Sequence, residues 1–145
     1  MARVYISKLL RNLVFARAEY RCEYCKSLSE YSNQPFAIEH IIPLAKEGTT
    51  EQENLALSCD GCNGHKYDKI SGIDPYDEKE VLLFHPRKNK WEDHFEWSEE
   101  YTHMIGKTPT GRATIQTLKL NRSGLINSRK IFVLAGLHPP PNSTQ

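Results

Sequence analysis

Four cysteines stand in two Cys-x-x-Cys pairs, Cys22/Cys25 and Cys59/Cys62, and between the pairs runs Glu39-His40-Ile41-Ile42-Pro43. The second pair continues directly into Asn63-Gly64-His65-Lys66. Four thiolates at this spacing suit one tetrahedral structural zinc. Such an ion would clamp the two ends of a segment whose middle carries a carboxylate, an imidazole and an amide. Those three groups can hold a hard cation and move a proton, which is the equipment that metal-dependent phosphodiester hydrolysis needs.

Two disulfides or buried free thiols are the plainer reading of the cysteines. Zinc is favoured on energetic grounds. The segment from Cys22 to Ile70 has few large apolar residues, too few for a self-sufficient core. A structural zinc supplies an apparent ~10–16 kcal/mol against ~2–5 for a disulfide. No signal-peptide pattern opens the chain, and no apolar run approaches the ~20 residues of a membrane span. The expected compartment is therefore the cytoplasm, where paired cysteines more often bind metal than each other.

At 145 residues the chain is expected to form a single domain over 1–145, with a site module at about 20–70 and a supporting extension at about 74–138. Its net charge of +1 is uninformative until it is mapped. Acidic side chains crowd between Asp74 and Glu100, whereas Tyr101 to Gln145 contains no Asp or Glu and carries Lys107, Arg112, Lys119, Arg122, Arg129 and Lys130. A second basic group, Arg3, Lys8, Arg11, Arg17 and Arg21, lies near the N-terminus. Either group could follow a phosphate backbone, although a solvated helix face explains any single Lys or Arg equally well.

The elements that must position the site follow from periodicity and punctuation. Ser7 caps a helix over about Lys8 to Ala18, with Leu9, Leu10, Leu13 and Val14 on one face. Phe36 to Ile42 reads as a strand ended by Pro43, Asn54 to Leu57 as a short return strand, and about Cys62 to Lys69 as a helix. Farther on, Val81 to Phe84 and Trp91 to Trp97 are expected to pair as a hairpin across Pro86 to Lys90. The alternation of Trp91, Phe95 and Trp97 points to core packing ahead of base stacking. Thr108-Pro109 opens a helix to near Leu120, and a last helix runs from about Arg122 to Ala135 and stops at Gly136. The fold class is α+β, a ββα unit with a four-cysteine zinc knuckle, an N-terminal helix, and a C-terminal hairpin plus two helices.

Glu39-His40-x-x-Pro43, Asn54-Leu55 and Cys59-x-x-Cys62-Asn63-x-x-Lys66, in that order and spacing, resemble the zinc-containing branch of the HNH endonucleases. The segments around His85-Pro86-Arg87, Trp91 to Phe95 and Thr108 to Thr114 are similar to an extension on some stand-alone bacterial members. The resemblance implies a ββα-metal site in which Glu39 and Asn63 hold a catalytic Mg²⁺ or Mn²⁺, His40 deprotonates the attacking water, and Asn54 ties the loop that places the base. The family's usual acidic ligand is Asp, and Glu39 is one methylene longer. Neighbouring strand residues also face opposite ways, so Glu39 and His40 can serve one phosphate only where the strand bends or ends.

Lys66 reads equally as a phosphate contact or a solvated lysine, and His65 as a metal ligand, a phosphate contact or an exposed helix residue. His85, His94, His103 and His138 match no motif position and are taken as structural. The expected activity is hydrolysis of DNA, with RNA as an alternative because the chemistry reads phosphate; Lys66, Arg112 and Lys119 are the candidate nucleic-acid contacts. No reading head for base edges is evident, so strong sequence specificity is not expected. No protein partner is indicated. The competing reading is a non-catalytic zinc-ribbon module that binds nucleic acid or protein. It needs the cysteines but has no use for Glu39, His40, Asn54 and Asn63 in that order.

Overall fold

The computed structural model describes residues 4–141. Two compact units emerge, one comprising the chain up to Ile70 together with His85–Lys90, the other Ser71–Phe84 together with the chain from Trp91 onward. Arg3 of the N-terminal basic group lies outside the described residues.

The first unit opens with α1 (Lys8–Arg17), whose Ser7 cap accepts a hydrogen bond from Leu10 N at 3.1 Å. The apolar stripe is narrower than the sequence suggests. Val14 is fully buried, whereas Leu9 is 81 % exposed and Leu13 stays at the surface. Arg17 fastens the helix instead, donating to Gln52 O at 3.0 Å and Leu55 O at 2.7 Å.

Strands β1 (Ala37–His40) and β2 (Leu55–Ser58) pair antiparallel, with Glu39 opposite Ala56 and His40 opposite Leu55. Every residue of β2 is buried, which makes it the spine of the unit. The ladder ends where the Ile41 amide bonds Asn54 O at 2.9 Å, so β1 stops short of Ile42. Helix α2 (Asp60–Lys66) follows, starting before the expected Cys62 and ending before the expected Lys69, because Cys59 serves as its cap and accepts from Cys62 N. It ends at Tyr67, whose φ of 52° lies in the left-handed region.

In the second unit the expected hairpin gives way to two others. β3 (Ser71–Ile73) pairs with β4 (Glu80–Leu82), and β5 (Phe95–Trp97) pairs with β6 (Met104–Gly106). A local turn decides the first pairing: Asp74 Oδ1 accepts from Tyr76 N, and the backbone closes from Asp74 N to Lys79 O. Trp91 to His94 form a short helix, α3, and not a strand. The aromatic residues do pack together, with ring centroids of Trp91 and Phe95 5.4 Å apart and of Trp91 and Trp97 5.3 Å apart.

Helix α4 (Pro109–Leu118) starts at Thr108, whose hydroxyl accepts from Gly111 N, and packs on β3, β4 and β6. Gly111 is required there, since a Cβ would come within 2.2 Å of His94 O. Helix α5 (Ser123–Leu134) ends before Gly136 at φ 77°. The α+β class with short hairpins and a four-cysteine cluster is therefore the observed one.

Candidate nuclease site

The cysteine cluster is assembled from two turns. Cys22 N bonds Ser27 O, Lys26 N returns to Cys22 O, and the left-handed Lys26 closes the first knuckle. The Cys25 and Cys62 amides each approach the preceding cysteine's sulfur at 3.4 Å. All four Sγ atoms lie within 4.8 Å of one another and all four residues are buried. The Cys25 and Cys59 sulfurs are 3.7 Å apart, far from the ~2.05 Å of a disulfide. A tetrahedral zinc with Zn–S of about 2.3 Å spaces its sulfurs by about 3.8 Å, so this donor set fits that ion. Burial pushes the Cys22 thiol up, whereas hydrogen bonds from Cys22, Cys25 and Cys62 hold Cys59 far down.

Glu23 fixes the first knuckle to the sheet. Its amide donates to Leu57 O and its Oε2 accepts from Leu57 N, both at 2.9 Å. The other carboxylate oxygen takes the Arg87 guanidinium from the His85–Lys90 turn. That turn is tied by its own bonds, including His85 N to Asn89 Oδ1 at 2.8 Å. Neither Glu23 nor Arg87 carries a local sequence signal, because the two partners are 64 residues apart.

His40 stands at the end of β1, half-buried, with Nε2 3.0 Å from the Thr50 hydroxyl. Burial lowers its pKa below the ordinary imidazole value, so the ring is neutral at neutral pH. Asn54 braces the intervening loop from three directions. Its Oδ1 accepts from Ile42 N at 2.9 Å, and its Nδ2 donates to Ile42 O at 2.9 Å and Thr49 O at 2.8 Å. Gly48 allows this closure, since a Cβ there would meet Ile42 O at 1.8 Å. Asn63 is half-buried on α2, on the turn that Cys59 O begins by accepting its amide.

Glu39 faces the interior. Its carboxylate oxygens are taken by Lys66 Nζ at 3.2 Å and by the Tyr24 hydroxyl. Burial raises the Glu39 pKa, and Lys66 and then Tyr24 draw it back down. Burial also keeps the Tyr24 phenol protonated, as a donor. A carboxylate so enclosed, beside an ammonium that repels cations, does not fit a resident divalent ion, and the ligand role expected of Glu39 is not met in this arrangement. Strand alternation is the reason: Glu39 and His40 occupy opposite faces, and the face of Glu39 is the buried one.

Lys66 is likewise corrected. It is only 2 % exposed, and besides Glu39 it bonds Ile41 O at 2.9 Å, so it is neither solvated nor presented to a phosphate. Residues 22–69 match the family model of the HNH endonucleases. The HNH match spans less than half of the 145 residues. No curated protein and no solved structure matches the chain.

Several basic residues beyond the HNH segment are engaged by the protein's own groups. Arg112 forms a two-pronged pair with Asp74, at 2.9 and 2.8 Å, and lies over the Tyr76 ring. Its guanidinium is therefore already engaged within the protein. Arg129 is buried and donates to Thr102 O at 2.9 Å and Leu120 O at 2.7 Å, and Arg122 bonds Leu118 O at 3.1 Å. Lys119 and Lys130 do lie on the surface, as do Lys8 and Arg11 on α1. Among the described residues, no helix is long and apolar enough to cross a membrane.

Proposed function

We infer that this chain is an HNH endonuclease that hydrolyses phosphodiester bonds in DNA, with zinc on Cys22, Cys25, Cys59 and Cys62 as the structural ion. The observation that carries the reading is the union of the HNH match with a half-buried His40 held at a strand end against the Thr50 hydroxyl. In this mechanism His40 takes the proton of an attacking water, Asn54 and the loop it closes keep the ring in place, and Asn63 supplies a polar side chain from α2. The resemblance implies a catalytic Mg²⁺ or Mn²⁺ as well; Glu39, enclosed by Lys66 and Tyr24, is not assigned to it.

The non-catalytic zinc-module reading has one observation in its favour, the enclosed Glu39. The two separate in a single experiment. Zinc-loaded protein is incubated with supercoiled plasmid, with and without Mg²⁺ or Mn²⁺, beside an RNA of similar length. The nuclease reading requires nicked or linear product. A folded, zinc-loaded protein that retains plasmid in a gel shift but never cuts it, in any of these ions, supports the binding module instead. The proposed site of action is the cytoplasm.

A further inference from the structure

The chemistry asked of His40 depends on which ring nitrogen holds the proton, and the sequence motif does not specify that. Nε2 lies 3.0 Å from Thr50 Oγ1. Nδ1 has no hydrogen-bond partner among the described residues and is not one of the buried unpaired atoms. The two residues before Thr50 are fastened by the loop's own bonds. Asn54 Nδ2 grips the carbonyl of the neighbouring Thr49 at 2.8 Å, and Gly48 N bonds Pro43 O at 2.9 Å. The loop that returns the chain to β2 thus delivers one hydroxyl to one imidazole nitrogen.

We propose that Thr50 is a positioning residue that sets the tautomer of His40, its hydroxyl oxygen accepting from Nε2–H so that the Nδ1 lone pair is the one open to water. The inference rests on the nuclease reading for its purpose, but not for its observable. With the opposite tautomer, the Thr50 hydroxyl would donate into Nε2 and Nδ1 would carry the proton. Neither nitrogen could then accept one from water. With the proposed tautomer, a proton taken from water lands on Nδ1, and the resulting imidazolium keeps its Nε2–H on Thr50. The hydroxyl can remain an acceptor through both states, so no rearrangement accompanies the transfer.

The test is a long-range ¹H–¹⁵N correlation of zinc-loaded, ¹⁵N-labelled protein above the titration of His40, with the ring assigned by its loss in His40→Ala. The expected spectrum has the proton on Nε2. Thr50→Val, which keeps shape and removes the acceptor, is expected to give a mixture of tautomers and about tenfold slower cleavage, the effect of one hydrogen bond. Thr50→Ser is expected to restore both. A proton on Nδ1 in the unaltered protein, or a ring spectrum unchanged in folded Thr50→Val, overturns the proposal. Failure of the nuclease reading looks different: the Nε2–H tautomer is present and responds to Thr50→Val, and no cleavage occurs.

Discussion

Replacing Lys66 by Met removes the cation paired with a carboxylate that the fold has almost wholly enclosed, the two side chains being 2 % and 4 % exposed. Breaking a buried pair on one side costs about 3–5 kcal/mol, because the remaining charge has no solvent to turn to. A second route gives a ceiling for the Glu39 charge alone, apart from the bond that Lys66 also gives Ile41 O. The orphaned Glu39 can escape by taking up a proton, which for an ordinary glutamate near 4.3 costs roughly 3.7 kcal/mol at pH 7, at about 1.36 kcal/mol per pH unit. The two estimates meet at about 3–4 kcal/mol. The escape route also fixes the sign of the pH dependence. Burial raises the Glu39 pKa in the folded state, so its favourable contribution is complete below the unfolded value and is lost as pH rises through the folded one. Removing Lys66 takes away a downward influence, so the variant suffers most at neutral pH and recovers on acidification; near pH 5 the ceiling is about 1 kcal/mol. Paired urea titrations of zinc-loaded wild type and Lys66→Met at pH 7 and pH 5 measure this difference directly. Adding Glu39→Gln to Lys66→Met should return much of the loss at pH 7. A penalty below about 1 kcal/mol at pH 7, or one that does not change with pH, would refute the buried-pair account.

Cys59→Ser should release zinc and unfold the first unit, read as metal content and amide dispersion; stoichiometric metal in the purified variant would count against the four-sulfur site. Cleavage should hold through neutral pH and fall only below the ordinary imidazole value of about 6.5, because burial lowers the His40 pKa and the base works in its neutral form. A pH–rate profile checks this, and an acid limb well above that value would contradict it. Lys119→Gln should shallow the salt dependence of DNA binding by about one unit of slope, and Arg112→Gln should leave it unaltered, since Arg112 is already committed to Asp74. Arg87→Ala should lower stability by about 1–3 kcal/mol in a denaturation curve, by leaving one oxygen of the buried Glu23 without its partner.

The sequence is most legible where chemistry is written in short spacings. Two Cys-x-x-Cys pairs suffice to anticipate one four-sulfur cluster, and Ser7, Thr108-Pro109 and Gly136 mark helix ends by mechanisms that act within a turn. Asn54, singled out by its place in the motif, bonds Ile42 and Thr49 across the loop. What stays hidden depends on partners far along the chain. Lys66 looks like any helix lysine until the opposite strand face supplies Glu39, and Arg112 looks like a free cation until Asp74, 38 residues away, meets it. The strand pairing of the second unit escapes a sequence reading because an Asp74 side-chain turn, not the longer Pro86 to Lys90 connection, sets the hairpin. Thr50 and Tyr24 carry no signal of their own, and each acquires a role only through the histidine or carboxylate it touches.

On this account His40 performs the chemistry and does not hold the fold. The most direct measurement is the initial rate of plasmid nicking by His40→Ala relative to wild type, at equal zinc content and equal thermal midpoint. A general base of this kind is worth about 10²–10⁴-fold, and the variant should be slower by that much. A folded, zinc-loaded His40→Ala that nicks at the wild-type rate would contradict the account.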